Sequence, residues 1–400
     1  MRLLVVRGDL QSSSGYSAAA RDYTTALAGR FDRVVGVDLH FSPARPFQPF
    51  PHSLVSDAEA RSLAGRADFA LALSLTTPDG YARYPGAVNV GLTFWETDRL
   101  PPGWAEQARP MDAVWAPSTH TRAVFEAEGV PAAVVPWPVR APIPRGPGLP
   151  DGEVHDLDRR SWLPGGTRIN SCGIAESEQH AILCVAQDVP RKALLLLLAE
   201  WLEFKRLPEA APWRLILKTA PADPATPQRR FVEHFRRHVQ ALRRQLGVRR
   251  ADVLLWAGRL GESDFDRLLA GCFAVVVPSL GEGFCGPAVQ AILLGKPLLA
   301  PRHTALADYL PADHPYTYAS RPAILRFVRD PLGIYPPSST WHVPAPHAIA
   351  KGLIRLVTDA PAERAAACHR ARERCQRWCD VGPLLAEVTR LQSRRLRLSV

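Results

Sequence analysis

Short apolar runs alternate with stretches of helical periodicity along most of the chain. This alternation predicts parallel strands joined by crossover helices, and therefore an α/β fold. In the first part of the chain the predicted strands are Leu3–Val6, Val34–Leu39, Phe69–Leu75, Ala87–Thr93, Ala113–Ala116 and Ala132–Val135. The pattern then restarts, with predicted strands at Ala181–Ala186, Leu215–Lys218, Val253–Ala257, Ala274–Val277 and Pro297–Ala300. Two doubly wound sheets follow from this order.

Between the two groups of strands, from Arg140 to about Gln179, the chain is rich in proline and glycine and has little periodicity. This composition is typical of an interdomain linker. We therefore expect Rossmann-like domains at residues 1–140 and 180–360, a linker at 141–179, and a basic C-terminal helix at 361–400 that packs back towards the first domain. Ligands of such sheets bind outside the carboxyl ends of the strands, so we expect the chemistry in loops that face a central cleft.

The composition is typical of a folded globular protein. Apolar residues make up 46% of the 400 residues and charged residues 22%, which excludes a mainly disordered chain. The longest apolar run, Ala193–Ala199, is far shorter than the roughly 20 residues of a membrane-spanning helix. The first residues resemble a buried strand rather than a signal peptide. We expect a cytoplasmic location, with peripheral contact to the inner membrane surface as an open alternative.

The seven cysteines are an odd number and predict no disulfide framework. Cys368, Cys375 and Cys379 lie on a predicted helix together with His369. Cysteines of zinc sites usually stand about two to four residues apart, so the wider spacing favours a buried helix face. These cysteines are therefore not expected to bind a metal, and the chain as a whole is expected to need no metal and no cofactor.

Positive charge is concentrated in two segments. The chain has 49 Lys and Arg residues against 39 Asp and Glu, a formal net charge of +10. Residues 227–250 contain eight arginines and one glutamate, and residues 361–397 contain nine arginines and four acidic residues. Arg229–Arg250 has the spacing of an amphipathic basic helix. It either packs by its apolar stripe with a solvated arginine face or docks on an anionic membrane surface, and nucleic acid is the less favoured partner.

The strongest chemical motif is a strand, a glycine-rich turn and a helix within residues 276–297. Gly281, Gly283 and Gly286 allow the backbone to approach a ligand closely, and the free N–H groups at a helix start can bind a phosphate. Glu282 would lie beside that anion, where a carboxylate suits the hydroxyl groups of a neutral sugar. A tight turn without a ligand is the alternative.

Arg191 and Lys192 follow the strand Ala181–Ala186, at the predicted start of the next helix. Cations at a helix N-terminus oppose the helix dipole, so helix stability does not account for them. Neutralising a diphosphate leaving group is the simplest explanation. A solvated surface pair is the alternative.

Two loops of the first domain face the predicted cleft. The loop at residues 7–16 has small polar residues but lacks the dinucleotide-binding glycine spacing, and the chain has no Walker-type phosphate loop. An NAD-type cofactor and ATPase chemistry of that kind are thereby excluded. The second loop contains Trp95, Glu96 and Asp98, which could stack on and hydrogen-bond a sugar-like acceptor. Packing of Trp95 in the core is the alternative.

With these motifs in view, the chain resembles the retaining glycosyltransferases of family 4, which have the GT-B fold and an E-x7-E motif. The glycine-rich turn with Glu282 and the pair Arg191-Lys192 occur in the family's order, and the resemblance covers most of the chain. It implies that Glu282 binds hydroxyl groups of the donor sugar and that Lys192 holds the diphosphate. It also implies donor contacts at Gly15, Gly283, Phe284, Cys285 and Gly286.

Two positions depart from the family's pattern. Gln290 stands where the second glutamate is usual, and Gln187 where an arginine is usual five residues before the lysine. Gln290 can still hydrogen-bond a ribose hydroxyl. The positive charge missing at residue 187 would then come from Arg191 or Arg259.

The sequence therefore predicts a retaining glycosyltransferase that moves a sugar from a nucleotide diphosphate to a hydroxyl group of a glycan, a lipid-linked molecule or a small molecule. Glu282, Lys192 and Arg191 are the predicted catalytic residues, and the leaving phosphate is the expected proton acceptor. Two other hypotheses stay open. One is a degenerate relative that binds a partner without turnover, and the other is a basic protein that docks on nucleic acid or an anionic membrane.

Overall fold

The computed structural model describes residues 1–39, 48–144, 149–150, 152–159, 166–169, 180–221, 223, 225–324 and 333–398. The first domain has seven parallel strands: β1 (Arg2–Gly8), β2 (Arg33–Asp38), β3 (Ser53–Leu54), β4 (Phe69–Leu75), β5 (Ala87–Leu92), β6 (Ala113–Ala116) and β7 (Ala133–Val134). They form one sheet in the order β3-β2-β1-β4-β5-β6-β7. The helices between them are α1 (Gly15–Ala28), α2 (Asp57–Arg66), α3 (Trp104–Ala108) and α4 (Thr119–Ala127).

The second domain is built on an eight-stranded sheet. Its strands are β8 (Glu153–Asp156), β9 (Thr167–Arg168), β10 (Ala181–Val185), β11 (Arg214–Thr219), β12 (Val253–Ala257), β13 (Ala274–Val276), β14 (Leu298–Pro301) and β15 (Thr317–Tyr318). Their order is β15-β14-β13-β10-β11-β12-β8-β9, and all neighbouring strands are parallel except that β8 is antiparallel to both β12 and β9. The connecting helices are α5 (Leu194–Phe204), α6 (Gln228–Leu246), α7 (Glu262–Gly271), α8 (Gly286–Leu293) and α9 (Leu306–Tyr309).

An antiparallel hairpin and three helices complete the chain. The hairpin is β16 (Ser320–Ile324) with β17 (Thr340–Pro344), and the helices are α10 (Ala348–Thr358), α11 (Pro361–Trp378) and α12 (Gly382–Leu398). The basic segment predicted as one C-terminal helix is thus two helices. Its buried Cys375 and Leu384 join an apolar cluster that also contains Tyr23 of α1 and Ile292 of α8. This segment therefore packs on side chains from both domains.

Every strand predicted from the apolar runs has a counterpart within a few residues, which confirms the α/β fold with two parallel sheets. The pattern missed the short strands β3 and β15, the hairpin, and the pair β8 and β9. The last two lie inside the segment predicted as a linker, where β8 pairs antiparallel with β12 and extends the second sheet. A two-residue strand such as β9 is too short to show a periodic pattern.

The order of each sheet reverses at one point, and this locates the cleft. In the second sheet β10 is flanked by β13 on one side and β11 on the other, so the connections after β10 and β13 run to opposite sides. In open α/β sheets, ligands bind at such a switch point, outside the carboxyl ends of the strands. Here the loop after β10 contains Arg191 and Lys192, and the loop after β13 contains Glu282.

Candidate active site

Glu282 is the centre of a buried ionic cluster. Lys192 Nζ lies 2.5 Å from its Oε1, and Arg191 Nη1 lies 3.2 Å from its Oε2. Ser279 Oγ donates a 2.5 Å hydrogen bond to the same Oε1. The first domain adds a second carboxylate, since Arg191 Nη2 lies 2.9 Å from Glu96 Oε1. Two cations and two carboxylates therefore form one electrically neutral group across the cleft.

The pKa of each carboxylate in the cluster depends on how many cations lie beside it. Burial alone would raise the pKa of Glu282, but Lys192 and Arg191 outweigh it and lower the pKa to about 2. At Glu96 burial dominates and raises the pKa, because Arg191 is its main opposing charge. Burial would lower the pKa of Arg191, but Glu96 and Glu282 hold it above the usual arginine value. Glu282 is therefore the carboxylate most firmly held in its charged form.

The predicted cations do not open a helix. Residues Pro190–Lys192 form one 3₁₀ turn, and α5 begins after it at Leu194. Ala193 between them has φ of 49°, the left-handed region. Cys285 and Thr304, at φ of 72° and 48°, are also left-handed and belong to the loops around Glu282. Such conformations are unfavourable for residues with side chains and cluster at functional sites, where the surrounding structure holds them.

The glycine-rich loop after β13 packs directly on the loop after β5 of the first domain. A Cβ atom on Gly281 would lie 2.6 Å from the carbonyl oxygen of Glu96, and one on Gly283 would lie 2.6 Å from the backbone nitrogen of Trp95. Glycine is therefore needed at both positions for the two backbones to meet. The close approach predicted for a ligand is made here by the other domain.

The acceptor candidates of the first domain divide into packing and polar residues. Trp95 is buried, packs on Trp104 with ring centroids 4.8 Å apart, and donates a hydrogen bond to the Arg99 carbonyl oxygen. Its role in this structure is core packing. Glu96 joins the ionic cluster, and the exposed Asp98 accepts a 2.7 Å hydrogen bond from the backbone N–H of Thr340.

The predicted donor-binding residues after Glu282 lead into α8, which begins at Gly286. Phe284 is buried between Trp137, Phe94 and Tyr309, and the ring of Trp137 would lie 2.8 Å from a Cβ on Gly286. Burial first, and the negative charge of Glu282 second, raise the pKa of Cys285 to about 12, so its thiol is protonated at neutral pH. Gln290 is half-buried further along the helix.

Three other predicted donor residues lie outside the ionic cluster. Gly15 is exposed at the first position of α1, where an added Cβ atom would meet only open space. Gln187 is exposed just beyond β10, and Arg259 is exposed just beyond β12. The charge of Arg259 contributes, after burial, to the lowered pKa of Lys218 at the end of β11. Gln187 and Arg259 lie at the carboxyl edge of the second sheet and Gly15 lies after β1 of the first sheet, and none of the three shares the contacts of Glu282.

Several residues that hold the cluster were not predicted from the sequence. Tyr335 donates a 3.1 Å hydrogen bond to Glu96 Oε2, and Thr304 Oγ1 accepts one of 3.1 Å from the backbone N–H of Glu282. Tyr16 hydrogen-bonds Thr93 at 2.8 Å and packs edge to face on Phe94. The role of Thr304 could have been inferred from its position soon after β14, because the loop there borders the loop that contains Glu282.

Helix α6 matches the predicted amphipathic basic helix. Its apolar stripe, including Phe231, Phe235 and Val239, is buried in the core of the second domain. Arg237 and Arg244 are exposed on the opposite side. The apolar stripe is therefore not available for insertion into a membrane, and contact with an anionic surface through the arginines stays a prediction.

Within the described parts of the chain, no group of three or more His, Cys, Asp or Glu residues is arranged to hold a metal ion. Among the same residues, no helix has the length and apolar character to span a bilayer. Cys368 and Cys375 are buried on α11, in line with the predicted helix face. Cys172 lies outside the described residues.

Comparison with solved structures identifies the architecture. Sucrose-phosphate synthase from Thermosynechococcus elongatus superimposes with a TM-score of 0.62 at 13% identity over 100% of both chains. The chain has the GT-B fold. A trehalose-6-phosphate structure from E. coli bound with UDP-2-fluoro glucose gives a TM-score of 0.60 at 12% identity, covering 98% of this chain and 99% of that one. The trehalose 6-phosphate synthase of Burkholderia multivorans gives 0.58 at 10% identity over 99% of each chain.

No protein-family model and no curated protein matches the sequence. The GT-B domains explain why the two sheets have their switch points on opposite sides of one cleft. Membership of family 4, which the motifs suggested, stays a prediction.

Proposed function

We propose that the protein is a nucleotide-sugar-dependent glycosyltransferase, and that it transfers with retention of the anomeric configuration. The observation that carries the proposal is the contact of Lys192 and Arg191 with Glu282 at the switch point of the GT-B second domain. Structures with the same fold include synthases of sugar phosphates, one of them bound with UDP-2-fluoro glucose. A sugar nucleotide supplies the two chemical groups that such a site can recognise, a diphosphate and a set of hydroxyls.

Binding of the donor would rearrange the ionic cluster. The diphosphate brings negative charge to Lys192 and Arg191, which then leave Glu282 for the phosphate oxygens. The carboxylate of Glu282 is thereby free to accept hydrogen bonds from the sugar hydroxyls. During transfer the same cations stabilise the charge that develops on the departing diphosphate. After this change of partners, the cations bind the diphosphate and Glu282 binds the sugar, so one cluster recognises both halves of the donor.

Retention in this proposal needs no protein nucleophile. With the donor bound, Glu282 accepts hydrogen bonds from Ser279 and from the sugar hydroxyls, and Glu96 keeps the hydrogen bond from Tyr335. The raised pKa of Cys285 keeps its thiol protonated. The leaving diphosphate would accept the proton of the acceptor hydroxyl as the new glycosidic bond forms on the same face of the sugar.

Calorimetric titration with UDP, GDP, ADP and their hexose derivatives tests the proposal. We expect one nucleotide to bind, and Lys192→Met to weaken its binding about 10- to 100-fold, since a charge-assisted hydrogen bond contributes about 1.5–3 kcal/mol. Lys351→Met, at an exposed position on α10, is the matched control and leaves the Kd unchanged. Absence of binding by every nucleotide and sugar nucleotide would overturn the proposal.

A second candidate is a glycosyltransferase-like protein that binds a sugar nucleotide without turnover. Gln187 and Gln290 replace residues that the family pattern expects, and the carboxylates already neutralise both cations. Release of free nucleotide diphosphate over hours, measured with the donor that binds, distinguishes the two candidates. Binding that depends on Lys192 but releases no nucleotide with any hydroxyl acceptor would favour the second.

A further inference from the structure

Three histidines converge beside the loop that contains Glu282. His303 follows β14 and its ring stacks on that of His342 in β17, with centroids 4.3 Å apart and planes inclined by 13°. His120 comes from α4 of the first domain, and its positive charge would lower the pKa of His303. The backbone N–H of His342 donates a 2.9 Å hydrogen bond to the Leu280 carbonyl oxygen, which ties β17 to the same loop. The group thus bridges the two domains.

Two of these imidazoles have a buried nitrogen without a partner. Nε2 of His303 and Nε2 of His120 form no hydrogen bond with any described residue. His303 is only 6% exposed, and its other nitrogen lies 3.3 Å from Thr304 Oγ1. A buried polar group without a partner is costly, and such groups are rare in native proteins. A ligand that brings hydroxyl groups would satisfy both nitrogens.

The three rings are uncharged at neutral pH. Burial lowers the pKa of His303 to about 3 and that of His120 to about 4, and it also lowers the pKa of His342. The positive charge of a neighbouring histidine lowers the pKa of His120 and of His303 further. Asp98, Glu282 and hydrogen bonds with the backbone of Thr97, Glu96 and Ser279 oppose this lowering only in part. A neutral imidazole offers one donor and one acceptor, which is what an alcohol hydroxyl needs.

The residues around the three histidines also argue against an anion or a metal ion as the ligand. A sugar carboxylate would lie next to the buried carboxylate of Glu282, which the cations leave for the diphosphate in the proposed complex, so charge repulsion there is strong. The described residues provide no metal-binding arrangement at these histidines. Both unpartnered nitrogens are covered by protein, and His120 belongs to one domain while His303 and His342 belong to the other. A ligand therefore reaches them when the domains separate and is enclosed when they close.

We propose that His120, His303 and His342 receive the hydroxyl groups of an uncharged transferred sugar, and so select neutral hexoses over sugars that carry a carboxylate. The inference rests on the proposed function, because it takes the diphosphate to lie on Lys192 and Arg191 and the sugar to extend from there past Glu282. Thr304 links the two parts of the site, since its hydroxyl contacts both the Glu282 backbone and His303.

The test compares the affinity of the bound nucleotide sugar with that of its nucleoside diphosphate. We expect the wild-type protein to bind the nucleotide sugar more tightly than the nucleoside diphosphate alone. His303→Phe keeps a flat ring for stacking on His342 but removes both nitrogens, so we expect the sugar nucleotide to bind at least 10-fold more weakly and the diphosphate within twofold of wild type. His303→Gln restores a hydrogen-bonding group and recovers most of the loss. His342→Gln, at a less buried position, provides a second variant with the same expected selectivity.

His314→Gln is the matched control, because His314 is equally buried with an unpartnered nitrogen but contacts Leu298 at the opposite, amino end of β14. It leaves both affinities unchanged. The corresponding uronic acid nucleotide should bind at least 10-fold more weakly than the neutral hexose nucleotide. If the sugar nucleotide binds His303→Phe as it binds wild type, or if only the KM of the acceptor changes, the inference is wrong while the proposed function stands. If wild type binds no nucleotide, both are wrong.

Discussion

Glu282 shows how one side chain can be both unfavourable to bury and firmly charged. It is almost fully buried, yet three donors surround its carboxylate, and Lys192 and Arg191 keep its pKa near 2. Glu96 has the opposite balance, since burial raises its pKa. The difference lies in the number of cations, because Arg191 is shared between the two carboxylates while Lys192 serves Glu282. Replacing each of the two carboxylates with an uncharged amide should therefore change the stability of the protein by different amounts.

Glu282→Gln is expected to destabilise the protein by about 3–5 kcal/mol at pH 7, because it leaves Lys192 without its carboxylate partner and leaves Arg191 with Glu96 alone. The folded pKa of about 2 lies below the unfolded value of about 4.3, so the stability from ionised Glu282 is present above about pH 4 and is lost as the pH falls towards 2. Urea denaturation at several pH values measures the difference from wild type. The difference in unfolding free energy between wild type and Glu282→Gln should become smaller as the pH is lowered.

Glu96→Gln is the comparison for this experiment. Because burial raises the pKa of Glu96, its charged form contributes less to folding, and the substitution should cost clearly less than Glu282→Gln at pH 7. Equal losses for the two variants, or a Glu282→Gln loss that stays constant as the pH falls towards 2, would contradict this account of the cluster.

At the scale of elements, the sequence predicted the strands that precede the site loops and missed six others, most of them at sheet edges or in the hairpin. The apolar runs located β10 and β13, and the motifs placed Arg191, Lys192 and Glu282 in the loops that follow them. The contact between Lys192 and Glu282, 90 residues apart, could not be derived from local pattern. It depends on the strand order, which brings β10 next to β13. The role of Glu96 was missed for the same reason, since its partner lies in the other domain.

The loop between β13 and α8 gives a prediction at the same scale. Gly281→Ala would place a methyl group 2.6 Å from the Glu96 carbonyl oxygen, so one of the two loops must move. We expect a loss of about 1–3 kcal/mol in unfolding free energy, as for other overpacked sites, and weaker donor binding because Glu282 shifts with the loop. Thermal denaturation and calorimetric titration measure the two effects.

Gly65→Ala is the control for this substitution. Gly65 lies within α2 with open space around its Cα, so alanine should leave stability unchanged or raise it by about 0.5–1 kcal/mol. A Gly281→Ala protein as stable and as active as wild type would show that the loops do not depend on this contact.

At the scale of the whole molecule, the two domains share one apolar cluster. It contains Leu4 and Tyr23 of the first domain, Ala288 of the second, and Cys375 of α11. Polar contacts reinforce the junction, such as those of Thr119 with Asp308. Because burial of apolar surface is the main stabilising contribution, a cluster that spans both domains favours unfolding as a single unit. The shared cluster therefore couples the stability of the two domains.

Asp266 tests this coupling. Its carboxylate is 2% exposed and accepts hydrogen bonds of 3.0 and 3.1 Å from Arg140 and of 2.9 Å from the Ile143 backbone, so it anchors the chain where it leaves the first domain. Asp266→Asn should lower the unfolding free energy by about 1.5–3 kcal/mol, while Asp264→Asn, at a more accessible position on the same helix, changes it by less than about 0.5 kcal/mol. Scanning calorimetry should show one transition for all three proteins, because the shared apolar cluster remains. A second, earlier transition in Asp266→Asn would mean that the ion pair, and not the apolar cluster, couples the domains.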